Sequence, residues 1–181
     1  MYLVEKSRQK QLVKSARSGD GQSFGVLYEQ YYAPMMWLAY SILLDRNLAE
    51  DAAQQAFVKA CEKLADLRNV DRFGPWLARI CRNETHQLIR QQRRQCLHDC
   101  NAPVQMNPRP HEEDQDNLVR TAIDQLPPIY REVLVLHYFN RMSYQDMQTV
   151  LGIAAHTVRG RLFRARRKVE QYLKRHGFQR R

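Results

Sequence analysis

Apolar side chains recur along this chain at intervals of three and four residues, and no run alternates apolar with polar over the length of a strand. That interval gathers side chains on one side of an α-helix. The pattern predicts a first helix over residues 9–18, stopped by Gly19. Residues 22–44 follow, with Phe24, Leu27, Tyr28, Tyr31, Met35, Leu38 and Ile42 in helical register. Pro34 is expected to kink or divide that element, because its ring removes a donor and crowds the preceding turn. A third helix is predicted over 48–64, with Ala52, Ala56, Cys61 and Leu64 available for its inner face. Residues 67–72 are polar and read as a loop. A long helix over 73–94 then carries Phe73, Trp76, Leu77, Ile80, Leu88 and Ile89.

From 95 to 116 the periodicity stops, and Pro103, Pro108, Pro110, Asn101 and Asn107 mark a linker. Helices resume over 118–125, and Pro127-Pro128 opens another that runs to 139. Ser143 is a good N-cap for a short helix that buries Met147, Val150 and Leu151. Gly152 supplies a turn, and Val158, Leu162, Ala165, Val169 and Leu173 then form one inward stripe. A short helix, a glycine turn and a second helix with a basic outer face make a helix-turn-helix. The expected fold is all-α: two small helical domains, residues 1–95 and 117–181, joined by a flexible acidic linker over 96–116.

Size and composition agree with that division. The chain has 181 residues, enough for one domain or two small ones, and 44% apolar with 27% charged residues is a globular balance. The longest apolar stretch, residues 35–44, is too short to span a bilayer, and the first residues carry no signal-peptide core. The expectation is a cytoplasmic chain. Cys61, Cys81, Cys96 and Cys100 are then expected as free thiols. Cys96, His98 and Cys100 sit close together, but a structural zinc site needs a second ligand pair that the chain does not offer. No metal or cofactor is expected.

Charge changes the picture most. The 29 basic and 19 acidic residues leave a net charge of +10. Residues 155–181 hold ten basic side chains against the single acid Glu170. Residues 79–94 hold Arg79, Arg82, Arg90, Arg93 and Arg94 against Glu84. Between them, 99–116 carries five acids against Arg109. A solvated helix face mixes both signs, whereas two single-sign patches suit a polyanion. A helix in the major groove can read guanine through an arginine, and His156, Thr157, Arg159, Gly160, Phe163, Arg164 and Arg167 occupy the outer side of the last helix. Arginines interleaved with aromatics, as at 72–94, can handle unpaired bases as well as phosphates. Phe73, Trp76, Leu77 and Ile80 fit a core stripe better, so Asn83 and the 67–72 loop are the stronger base contacts there.

Four segments in order resemble bacterial RNA polymerase sigma factors of the extracytoplasmic-function (ECF) class, over nearly the whole chain from Leu12 to Leu173. They are Ala16-Arg17-Ser18-Gly19-Asp20 with Phe24 and Leu27-Tyr28; residues 49–57, AEDAAQQAF; residues 73–83, FGPWLARICRN; and Leu126-Pro127 with Arg131, Ser143 to Met147, Leu151-Gly152, Thr157 to Arg159 and Arg164 to Arg166. The resemblance implies a non-enzymatic initiation factor with three partners: core RNA polymerase through its β′ clamp, promoter DNA, and an anti-sigma factor. It implies polymerase docking by Asp51, Gln54, Gln55 and Phe57. It implies contact with the −10 element by Arg68, Asn69, Arg82, Asn83 and Arg90, and with the −35 element by the last helix. The chain departs from the family pattern at Gln55, Gln87, Gln148, His156 and Gly160, where Glu, Asp, Ala, Gly and Ser are commoner. Two other readings stay open at this level. A self-sufficient helix-turn-helix regulator accounts for 126–173 but leaves 47–94 unused, and a thiol enzyme would rely on Cys96 and Cys100 in the linker.

Overall fold

The computed structural model describes residues 6–98 and 115–178. Among these residues there is no strand. The helices are α1 (Lys6–Arg17), α2 (Gly21–Leu43), α3 (Arg46–Lys63), α4 (Phe73–His98), α5 (Gln115–Asp124), α6 (Pro128–Tyr138), α7 (Tyr144–Leu151) and α8 (Ala155–Arg175). Single 3-10 turns at Leu64–Asp66 and Val70–Arg72 carry the chain from α3 into α4.

Local chemistry sets the helix starts. Asp20, Asp45 and Ser143 each accept a hydrogen bond from a backbone N–H of the turn they open, at 3.1, 3.0 and 3.2 Å. These are donors that a helix cannot satisfy from within. Pro128 stands at the first position of α6, where its missing N–H costs nothing.

Pro34 does not divide α2, which runs unbroken from Gly21 to Leu43. A proline forfeits one intrahelical bond, and here Leu27, Met35, Leu38 and Ala39 are all fully buried around it, so packing outweighs that loss. The next helix also departs from expectation: α4 continues past 94 to His98, since nothing between Gln95 and His98 breaks a helix. Cys96 and His98 therefore belong to a helix, and α5 already begins at Gln115, inside the expected linker. Residues 99–114, with Cys100, lie outside the described residues. On the inner face of α3, Ala52, Ala56 and Leu64 are buried as expected, but Cys61 is exposed and Ala60 is buried in its place.

The first four helices share a core of Val13, Leu27, Leu38, Phe73, Leu77 and Cys81 with five alanines of α3. Around it, Phe57 meets the rings of Phe24, Tyr28 and Tyr32, and Phe73 meets Tyr31. The last four helices pack on Val133, Leu136, Met147, Val158 and Leu162. The two groups also touch, with α2 against α6 and α4 against α7. Trp37 of α2 lies 6.1 Å from Phe139, just past α6, and the Arg120 guanidinium sits 5.4 Å from the Trp37 ring centre.

Candidate nucleic-acid and polymerase interface

The C-terminal pair is built by its caps. Ser143 closes the start of α7, and its hydroxyl also donates to the Asp146 carboxylate at 2.7 Å. Gly152 ends α7 with φ +68, a left-handed conformation that glycine adopts at no steric cost. The turn delivers α8 with Val158, Leu162 and Ala165 buried.

The opposite side of α8 is where the sequence placed it. His156, Arg159, Phe163, Arg164 and Arg167 are exposed, with Thr157 and Gly160 partly so at the edge. Phe163 is 65% exposed, the most exposed large apolar side chain among the described residues. Arg164 folds back along the helix, its Nε donating to the Gly160 carbonyl at 3.3 Å, and a Cβ at position 160 would sit 3.4 Å from its Nη2. Among the described residues no carboxylate pairs with Arg159 or Arg164. Other cations of α8 serve the fold: Arg166 lies over Tyr138 at 5.4 Å and Lys168 over Tyr130 at 6.0 Å.

On α4 the helical register sorts the basic block. Leu77, Ala78, Cys81 and Thr85 face inward. Arg79, Asn83, Gln87, Arg90 and Arg94 are exposed at spacings of four, four, three and four, which forms one outer stripe. Asn83 and Arg90 thus fall together, with Arg79 and Arg94 added by register alone. Arg82 does not join them. Its Nε pairs with the carboxylate of Glu132 on α6. Arg68 and Asn69 are exposed in the loop before α4, and the Asn69 side chain accepts from the Asp71 N–H at 3.0 Å. That loop is pinned by buried Leu67, whose carbonyl accepts from Arg17 at 3.2 Å, and by Lys10 on Asp71 at 2.9 Å. Trp76 packs 5.9 Å from Phe73, in keeping with a core role.

The docking face expected on α3 divides in the same way. Asp51, Gln54 and Gln55 are exposed, and Val58, 52% exposed, continues their stripe. Phe57 is 3% exposed and belongs to the core. It orients the face from within rather than presenting a contact. Lys59 ties α3 to Glu84 of α4 at 2.6 Å.

Pattern reading missed a buried polar seam between the two groups of helices. Arg131 is 3% exposed, and it donates to the carbonyls of Ser41, Asp124 and Leu126 at 2.6, 3.0 and 2.5 Å. Burial pushes its guanidinium down, against the pull of Asp124 and Tyr40. Burial likewise pushes the neighbouring Glu132 carboxyl up, opposed by Arg82 and Arg161. Two adjacent charges inside the apolar run of α6 were the available signal.

Two family profiles match the chain: Sigma-70 region 2 over residues 27–95, and Sigma-70 region 4 over residues 116–169. The RNA polymerase sigma-H factor of Pseudomonas aeruginosa is 30% identical over 94% of this chain and 96% of that protein. The ECF RNA polymerase sigma factor SigW of Bacillus subtilis is 27% identical over 91% of this chain and 96% of its own length. The solved structure of CnrH in complex with the cytosolic domain of CnrY superposes with a TM-score of 0.67 at 28% identity, covering 92% of this chain and 97% of that one.

Proposed function

The chain belongs to the ECF class of RNA polymerase sigma factors, and from that membership we propose how its parts divide the work of promoter-specific initiation. Residues 1–95 form the unit that docks on core polymerase and handles the −10 element. Residues 117–181 read the −35 duplex, and 96–116 connect the two. Bond-making belongs to the polymerase, and the chain works in the cytoplasm. Among its described residues no helix is long and apolar enough to cross a membrane.

The outer side of α8 enters the major groove. Arg159, Arg164 and Arg167 supply guanine-reading or phosphate-binding cations, and His156, Thr157 and Gly160 line the approach. Phe163 offers an apolar face to a thymine methyl. On the other unit, Arg90 and Asn83 of the α4 stripe, with Arg68 and Asn69 in the loop and Arg82 once released from Glu132, hold the opened strand. Trapping an unstacked base there offsets the few kcal/mol that unstacking costs. Asp51, Gln54 and Gln55 present polar groups to the polymerase β′ clamp around Val58, while Phe57 sets the face from beneath. An anti-sigma factor binds the chain when it is off; the CnrH structure holds a protein partner of its own, the cytosolic domain of CnrY.

The observation that carries this reading is the pair of one-sided cationic stripes, on α4 and α8, each on the outer side of a helix whose inner side is buried in the apolar core. The deciding experiment is in vitro transcription with added core polymerase on a promoter library. The expected result is start-site selection that needs both chain and polymerase and that shares sequence at −35 and −10. Tight specific duplex binding by the chain alone, with no effect on the polymerase, would point instead to a self-sufficient regulator.

A further inference from the structure

We propose that the cavity between α2, the start of α4 and the α6–α7 turn is a binding site for a free, neutral single-ring molecule that carries an N–H beside a C=O in its plane, the edge that uracil and 2-pyridone share. The site is separate from the promoter contacts assigned above, and its tests need neither polymerase nor promoter.

The cavity holds about 150 Å³, roughly the volume that one six-membered ring fills. Three buried polar atoms on its lining side chains have no hydrogen-bond partner among the described residues: both amide atoms of Gln30 and the Oδ1 of Asn140. Buried polar atoms are almost always paired, because an unpaired one forfeits its bond to water. Three such atoms on one cavity mark a place where an occupant completes the bonding. The Gln30 amide offers a donor and an acceptor in one plane, and its complement is an acceptor and a donor side by side. The Asn140 amide is anchored through its Nδ2, which donates to the Pro34 carbonyl at 3.4 Å, so its Oδ1 is left to accept.

The walls suit a flat ring. Tyr31 and Phe139 both line the cavity with aromatic surface. Gly74 leaves room for Tyr31, since a Cβ there would come 3.2 Å from the Tyr31 Cε1. Charge favours a free molecule over a nucleic-acid strand carrying the same edge. Asp71 and Asp146 line the cavity against Arg141 alone, whereas phosphates need a positive surface.

Nuclear magnetic resonance on the full chain tests this, with uracil and 2-pyridone as probes and benzene as a ring of similar size without the edge. Uracil should bind with a Kd of about 1 mM, the range open to so few atoms. It should bind at least about tenfold more tightly than benzene, and its ring protons should show contacts to Tyr31 and Phe139. Gln30→Met keeps the side-chain length but removes both amide atoms, and should weaken uracil at least about tenfold. Glu29→Gln, at the exposed neighbouring position, should leave the affinity unchanged. Without ligand, Gln30→Met should melt about 2–4 °C higher, because no unpaired amide stays buried. A thymidine 20-mer should bind the unmodified chain and Gln30→Met alike.

No binding of either probe at about 20 mM overturns the proposal, as does equal affinity for benzene or ring contacts elsewhere. These outcomes come from the unmodified chain and hold even if Gln30→Met loses helical circular dichroism. An unchanged uracil affinity in a helical Gln30→Met overturns it too. A lower melting temperature for that variant would show that the amide is already satisfied within the fold, by water included, and would do the same. Loss of affinity confined to the 20-mer would assign the edge to a strand and overturn the free ligand.

Discussion

The Nε of Arg131 on α6 donates to the carbonyl of Ser41, in the last turn of α2 and ninety residues earlier, at 2.6 Å. Ser41 stands two residues before the end of α2 at Leu43, so its carbonyl is one that the helix leaves unpaired. The same guanidinium takes the carbonyl of Asp124 at the end of α5, and that of Leu126 just beyond. One buried cation therefore closes the C-termini of two helices, where the helix dipole also favours positive charge.

Removing that group should cost about 2–4 kcal/mol, because three buried carbonyls lose a charged donor. Urea unfolding of Arg131→Ala, followed by circular dichroism, measures it. Arg131→Lys keeps the charge but not the fork, and should recover less than half of the loss. Full recovery by lysine would mean that charge alone matters there.

Stability should fall on the alkaline side. Burial pushes the Cys81 thiol up to about 12 from 9.0, and the Tyr31 hydroxyl up to about 12 from 10.0. Each group is neutral in the fold and releases its proton more readily once unfolded. Their contribution is whole below pH 9 and is lost as pH rises toward 12, at a limiting slope of about 1.4 kcal/mol per pH unit for each group. The Cys81 Sγ donates to the Met35 carbonyl at 3.4 Å, which a thiolate cannot do. Denaturant midpoints from pH 7 to 11 should decline, and less steeply in Cys81→Ala. With Cys96 and Cys100 replaced by serine, a thiol reagent at pH 8 should label Cys61 in the folded chain and Cys81 only after unfolding.

Gly152→Val should destabilise the α7–α8 pair by about 1–2 kcal/mol through backbone strain, since φ is +68 and a Cβ there meets nothing within 4 Å. Gly152→Asn should cost visibly less, because asparagine tolerates the left-handed region. Thermal melts of the full chain compare the two. Equal costs would show that side-chain crowding sets the penalty.

Arg164→Ala should weaken polymerase-dependent initiation by about 1–3 kcal/mol at promoters with the preferred −35 base and leave promoters altered at that base unaffected. Uniform weakening over all promoters would assign Arg164 to phosphate. Gly160→Ser, which places an atom beside the Arg164 guanidinium, should shift the same base preference.

Much of this was legible because helical packing writes itself locally. Val158, Leu162 and Ala165 recur in register after a glycine, and their burial left the basic side of α8 outward. The register of α4 sorted Asn83 and Arg90 onto one stripe by the same rule. One position of the α3 face differs, Ala60 for Cys61, because alanine and cysteine differ little in apolar character and neighbouring positions near the helix end compete for the same face. Loop composition led the end of α4 to be drawn too early, although no helix breaker precedes Pro103. Pairings such as Arg82 with Glu132 span fifty residues, and no periodicity records them.

The inward side of α3 is made almost wholly of methyl groups: Ala49, Ala52, Ala53, Ala56 and Ala60 have no exposed surface at all. Methyls let neighbouring backbones come close, and they leave no slack to absorb a longer side chain. A branched residue at Ala53 or Ala56 would act as a wedge, tilting the whole rod and displacing Asp51 and Gln54 without touching either. Lesions hidden in that seam should therefore surface in genetic screens disguised as failures to engage the polymerase.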